Sequence, residues 1–355
     1  MPSAVTWFDV RGRAWREGTA AVVDARVRLT ADQPSTEMPR LNGVVAGGFT
    51  DSHVHLQLFD VAELAGSTLG RVFDLGGNPE VLAGLRHNSC AGPHNSGVLT
   101  RTRGVGADAG PIVEDSPESC GGTDVEIGFA GAFLTPPGGY PSDRTWAPAG
   151  AVREVADADA VERAVVEMKN AGATRIKVAS NAAAGPVFSD ELFATIVAIA
   201  ADHSMPVIAH AEGSGEAQRA TRLGARMLAH APFSERLTDV ELHAMRGSVS
   251  WVSTLAIHDG DAYGIAVDNL RRFHAIGGDI VYGTDMGNGP TPVDVNPREI
   301  AALREAGIDG DELLRSLAPV DPTSSTSRLL FFPGCTPETA DPLRARLLTP
   351  ADLEP

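Results

Sequence analysis

Six side chains in this sequence have the types and spacing of a divalent-metal site. His53 and His55 stand in Asp51-Ser-His-Val-His, Lys177 in Arg175-Ile-Lys-Val, His210 in Ala209-His-Ala-Glu, His230 in Leu228-Ala-His-Ala, and Asp285 in Gly283-Thr-Asp-Met-Gly. Residues two apart on a strand point the same way, so His53 and His55 can grip one ion together. Four imidazoles and a carboxylate suit a borderline cation such as zinc, with manganese, iron or cobalt as substitutes. Lys177 is the odd member. A free ammonium beside a divalent cation is repelled, and burial favours the neutral amine. A neutral lysine there can take up carbon dioxide as a carbamate, whose two oxygens are able to bridge two metals. Each piece also has a plain alternative. A buried lysine is more often an ion-pair partner, His210 or His230 alone could be a hydrogen-bonded core residue, and Asp285 could cap a helix. What favours the metal reading is that all six fall at or near strand C-terminal ends.

The elements that must position them alternate along the chain. Apolar runs of strand length are read at Val45–Ser52, Arg71–Leu75, Glu126–Leu134, Thr174–Ala179, Pro206–His210, Arg226–His230, Ser248–Thr254 and Asp279–Thr284. Stretches of helical period lie between and after them, among them Asp157–Ala171, Ser189–His203 and Tyr263–Ile276. Eight such alternations over roughly 250 residues predict a parallel sheet closed as a (βα)8 TIM barrel, or failing that an open doubly wound sheet. Active-site loops of a barrel converge at its C-terminal mouth, where these six residues fall. Residues 1–44 and the tail 329–355 carry strand-like patches without helical period, which predicts a small β-sandwich-like domain built from both termini beside a 45–328 barrel. Residues 87–122, dense in Gly, Ser, Asn and Pro, read as a long irregular insertion.

Composition narrows the partners. The 355 residues carry 46 acidic against 29 basic side chains, a net charge of −17, which repels phosphate backbones and anionic lipid heads. With no basic stripe and no apolar run long enough to span a bilayer, neither nucleic acid nor membrane is an expected partner; the expected one is a small-molecule substrate. The start shows no basic segment followed by an apolar one, and the reading is a soluble cytoplasmic protein. Cys90, Cys120 and Cys335 are widely spaced and form no C-x-x-C pair, so a disulfide framework or a zinc–thiolate site is not indicated.

The order of these residues, His-x-His after the first strand, Lys on the fourth, His on the fifth and sixth and Asp on the eighth, resembles the amidohydrolase superfamily of metal-dependent hydrolases. Gly48-Phe-Thr-Asp-Ser-His-Val-His, Val72-Phe-Asp-Leu-Gly-Gly, Ile176-Lys-Val and Tyr282-Gly-Thr-Asp are most similar to its imidazolonepropionase-like and prolidase-like branch, over about residues 40–320. The resemblance implies two divalent ions, zinc first. His53, His55 and Asp285 would hold one, His210 and His230 the other, with carboxylated Lys177 bridging. It further implies a metal-bound hydroxide as nucleophile and Asp285 as proton shuttle in hydrolysis of an amide, cyclic amide or dipeptide-like C–N bond. A homo-oligomer is expected on the same ground.

Departures from the family pattern leave room for other readings. Glu212 stands where many prolidase-like relatives carry a second histidine, and Leu228-Ala-His-Ala-Pro-Phe replaces the commoner His-Gly. Glu212 could bind substrate, move a proton, or orient a ligating histidine. His258 and Tyr263, after the seventh strand, are the candidate substrate contacts, and the glycine- and proline-rich run 131–140 is read as lining the mouth. A mononuclear deaminase or cyclic-amide hydrolase using Glu212 is the second reading. A catalytically silent barrel serving as a binding or scaffold protein is the third.

Overall fold

Val- and Ile-rich runs too short for helices become the strands, and the amphipathic stretches between them become helices packed outside. The computed structural model describes residues 2–87 and 124–354. The insertion read at 87–122 therefore lies outside the described residues except for His87, which closes a helix, Pro79–His87.

In chain order the strands are β1 Ser3–Asp9, β2 Ala14–Val23, β3 Arg26–Thr30, β4 Arg40–Gly47, β5 Phe49–Val54, β6 Leu69–Asp74, β7 Glu126–Phe129, β8 Phe133–Thr135, β9 Val152–Glu154, β10 Ile176–Asn181, β11 Val207–Glu212, β12 Met227–Leu228, β13 Ser250–Val252, β14 Asp279–Val281, β15 Leu329–Pro333 and β16 Arg346–Leu347. They form a mixed α/β fold of three sheets. One, of order β16-β15-β4-β1-β2-β3, draws on both ends of the chain. The other two are parallel: β5-β6-β7, and β14-β13-β12-β11-β10-β8-β9.

The two parallel sheets are linked at two places. On one side Val54 bridges Met286, and the Ser52 amide donates to the Tyr282 carbonyl at 3.0 Å. On the other the chain passes from β7, paired with β6, straight into β8, paired with β10. The run read as one strand, Glu126–Leu134, is thus broken into β7 and β8. The run read at Val45–Ser52 is likewise two strands, because Gly48 packs against the Gly70 backbone so closely that a Cβ there would lie 2.6 Å from it, and the chain crosses between sheets at that point.

β5 and β10 are buried along their whole length yet carry polar side chains, among them Asp51, His53 and Lys177, where strands covered on both faces are usually apolar. The main core runs from Phe49, Leu69 and Phe129 through Phe193 and Trp251 to Leu313. One face of the terminal sheet, including Phe8, Val44 and Phe332, belongs to that core, and the other packs Val5, Trp7, Val45 and Phe331 under the C-terminal segment. The helices match the sequence periodicity closely: Ala158–Ala171 and Asp190–Asp202 are capped by Asp157 and Ser189, whose side chains accept from backbone amides. Among the described residues no helix is long and apolar enough to cross a membrane.

Candidate metal centre

Two buried carboxylates set the geometry before any candidate ligand is considered. Asp51, in β5, accepts from the His53 amide at 3.0 Å, the Thr284 amide at 3.2 Å and the Thr284 hydroxyl at 2.6 Å, tying the end of β5 to the segment after β14. Burial pushes its carboxyl up to about 7, although these hydrogen bonds pull the other way. Asp74, at the end of β6, accepts from the Leu56 and Gly76 amides at 2.7 and 2.8 Å and so fixes the turn after His55. Gly283 completes the approach, since a Cβ there would lie 2.3 Å from Val252.

On this frame His53 and His55 are oriented by carbonyl groups. Nδ1 of His53 faces the Ala229 carbonyl at 2.8 Å, and Nδ1 of His55 faces the Gly76 carbonyl at 3.0 Å. A carbonyl only accepts, so each Nδ1 carries the proton and each Nε2 of the neutral ring presents a lone pair. Both lone pairs converge on Oδ1 of Asp285, 3.1 Å from His53 and 3.0 Å from His55. That oxygen is buried and accepts no hydrogen bond among the described residues, while Oδ2 accepts from Asn288 at 2.8 Å. Asp285 sits at φ 56°, a left-handed conformation that a non-glycine residue adopts at a cost of about 1–3 kcal/mol, of the kind found at functional sites.

His230 completes a compact group. It follows the two-residue strand β12, and its Nδ1 lies 2.9 Å from the hydroxyl of Thr254, itself at φ 42°. One donor atom each from His53, His230 and Asp285 lies within 4.8 Å of the others, all buried. Facing lone pairs and an unprotonated carboxylate oxygen repel one another unless a cation lies among them, and two imidazoles with a carboxylate suit zinc. The residues therefore fit a metal.

The electrostatics agree for Asp285, His53 and His230, whereas His55 favours its protonated form. Burial would raise the Asp285 carboxyl, yet His53 and His55 hold it well below the usual range. Burial and Lys177 keep the His53 ring neutral, as burial and the His53 and His210 rings do for His230. Burial also lowers His55, but Asp285, with Asp74 beneath, more than offsets it and leaves the ring above its ordinary value. Lys177 is 1% exposed within β10, with no salt bridge among the described residues and its Nζ 5.9 Å from the centre of the Phe133 ring. Burial brings it down to about 7 against the pull of Asp285 and Asp74, so near neutrality much of it is the free amine.

His210 stands inside β11 rather than ending it, and the structure brings it beside the group without making it part of it. Its ring centre is 4.9 Å from that of His230, but its Nε2 lies 3.1 Å from Oε2 of Glu212. The same oxygen of Glu212 accepts from Asn181 at 2.6 Å, and His210 holds the carboxyl below its usual value despite partial burial. His258 packs tilted against Phe233 with ring centres 4.2 Å apart, and its Nε2 is buried without a hydrogen-bond partner among the described residues. Burial drives that ring down to about 4. Tyr263 lines the same cleft of about 300 Å³ beside His258 and Arg298, but its hydroxyl donates to Glu305 at 2.7 Å. A larger cleft, about 720 Å³, lies at the other end of β14 and is lined by none of these residues.

No protein-family model matches the sequence, and no curated protein matches it. Solved structures do. A Xaa-Pro dipeptidase with methionine bound in its active site superposes with a TM-score of 0.69 at 18% identity, over 99% of this chain and 98% of that one. The chain shares its fold with that structure. A. niger ochratoxinase shares the fold too, with a TM-score of 0.67 at 15% identity, covering 98% of this chain and 94% of that one. Phenylurea hydrolase B matches with 0.66 at 15% identity, covering 99% and 96%.

Several residues that build this site were not singled out from the sequence. Asp51 and Asp74 lie inside motifs that were, Asp-Ser-His-Val-His and Val-Phe-Asp-Leu-Gly-Gly, so the signal was present. Thr254, Asn181 and Glu299 carried none. Glu299 lies in the helix Pro297–Glu305 and is fully buried, and its two oxygens accept from the Leu255 and Ala256 amides at 3.0 and 2.6 Å, fixing the turn that carries Thr254 and His258.

Proposed function

We propose that this chain is a metal-dependent amidohydrolase that cleaves a C–N bond, in an amide, cyclic amide or dipeptide-like small molecule. The observation that carries the reading is the convergence of His53 and His55 on an Asp285 oxygen that no donor among the described residues satisfies, with His230 beside it. On this reading the two parallel sheets are one (βα)8 barrel interrupted between β7 and β8, and the six-stranded sheet is the small domain built from 1–44 and 329–355.

His53, His55 and Asp285 would hold one ion, His210 and His230 a second, and Lys177 would bridge them as a carbamate. A bound divalent cation lowers the pKa of its water to about 7 and polarises a carbonyl. The Lys177 amine, neutral in part near pH 7, is poised to add carbon dioxide, forming an N–C bond and releasing one proton. Asp285 accepts the proton of the attacking water and delivers it to the leaving amine. Glu212, hydrogen-bonded to His210 and Asn181, orients His210 and stands at the edge of the substrate space. His258 offers that space a buried, unpartnered nitrogen.

The test is metal content per chain after growth with zinc and bicarbonate, for the wild type and Lys177→Ala, with hydrolysis of an amide and dipeptide panel. Two ions and activity, both lost in the variant, are the expected result. One ion in both proteins, with activity kept in the variant, would favour the mononuclear reading. No metal in a folded wild-type sample would sink the proposal.

A further inference from the structure

The loop after β8, residues 136–151, leaves three features over the candidate centre that the proposed hydrolysis does not use. Tyr140 lies over the His210 ring, centres 5.4 Å apart and planes 29° apart, with the Arg144 guanidinium 5.6 Å from its centre. Trp146 stands 6.3 Å from His55, 6.1 Å from Phe133 and 6.1 Å from Tyr140, tilted to each. Its ring is only partly covered. Neither the Tyr140 hydroxyl nor the Trp146 indole N–H has a hydrogen-bond partner among the described residues. Burial raises the Tyr140 hydroxyl to about 12, and the Asp285 and Glu212 carboxylates add to the shift.

The partly exposed Trp146 indole lies outside the buried hydrophobic core. Rings at centre separations of 4.5–7 Å attract one another beyond simple area burial, and the tilted arrangement around Trp146 leaves part of its surface free for another flat group. From these positions we propose that Trp146 and Tyr140 form a specificity wall that selects substrates carrying an aromatic or flat cyclic group next to the scissile bond. Trp146 supplies the stacking surface, and Tyr140, backed by His210, fixes its angle. The inference rests on the amidohydrolase reading and narrows its substrate class.

The experiment compares the zinc-loaded protein on Gly-Phe and Phe-Gly against Gly-Ala and Ala-Gly, for the wild type, Trp146→Ala and Trp146→Phe. The better phenylalanyl dipeptide is expected to exceed its alanyl counterpart in kcat/KM by about tenfold, the size of a good aromatic contact. That ratio should fall close to one in Trp146→Ala and be largely kept in Trp146→Phe. An unchanged ratio in a folded Trp146→Ala that hydrolyses both dipeptides would overturn the wall while leaving the amidohydrolase intact. If no dipeptide is hydrolysed, tryptophan fluorescence decides. A saturable change with the phenylalanyl but not the alanyl dipeptide, absent in Trp146→Phe, supports the wall without the hydrolysis. No such change in the wild type rejects it.

Discussion

The two sides of the centre are built on different principles. On the side of β5 and the segment after β14, His53, His55 and Asp285 are buried, both rings are oriented by main-chain carbonyls, and Asp51 and Asp74 brace the turns with backbone hydrogen bonds. On the β11 side His210 and Glu212 are partly exposed, and they hold each other through a side-chain contact. Main-chain anchors cannot rotate away without unfolding a strand end, whereas a side-chain pair can re-form around a ligand. On the proposed function the first side would hold its ion in fixed geometry, and the second, where His210 would also hold an ion, would leave Glu212 room to adjust to a substrate.

The sharpest way to break that contrast is Asp285→Asn. It removes the charge that the facing lone pairs converge on, and activity should fall by at least about 10³-fold together with metal content. Retained metal with the same loss would mean that Asp285 moves protons without holding the ion. Glu212→Gln tests the adaptable side. Metal content measured by elemental analysis should stay at the wild-type level while kcat/KM drops by about 10–100-fold. Loss of metal in this variant would mean that both sides are anchors, and the contrast would fall.

The smallest effect concerns the support beneath His258 and Thr254. Burial raises the Glu299 carboxyl to about 7 from an ordinary value of 4.5. Between these values the folded protein binds the proton and the unfolded chain does not, so stability falls as pH rises from about 4.5 through 7. The full cost of ionising it in place is on the order of 3 kcal/mol. Glu299→Gln should flatten that part of a denaturation-versus-pH series, and an unchanged slope would assign it to Asp51, which burial raises to a similar value.

Legibility from the sequence was uneven for physical reasons. Helices such as Ala158–Ala171 were readable to within a residue because cap residues and a 3.6-residue period are local signals. Strands were found but mis-bounded: β12 spans only Met227–Leu228, although the run read at Arg226–His230 is longer, and two runs read as single strands are each two. Strand limits depend on which neighbour supplies the hydrogen bonds, and that neighbour is far away in sequence. The candidate ligands were legible because their residue types are rare in apolar strands, while Glu299, an ordinary acidic residue on an amphipathic helix, was not.

By itself the sequence determined the alternation of elements, the caps that start the helices, and the set of imidazole, amine and carboxylate groups carried on or just after the strands, because each is a matter of local pattern and side-chain chemistry. Only the tertiary structure decided that His230 joins His53 and Asp285, and that His210 turns toward Glu212. It alone put Tyr140 and Trp146 over the centre, since these contacts join segments tens to hundreds of residues apart, and strand register and backbone hydrogen bonds set them.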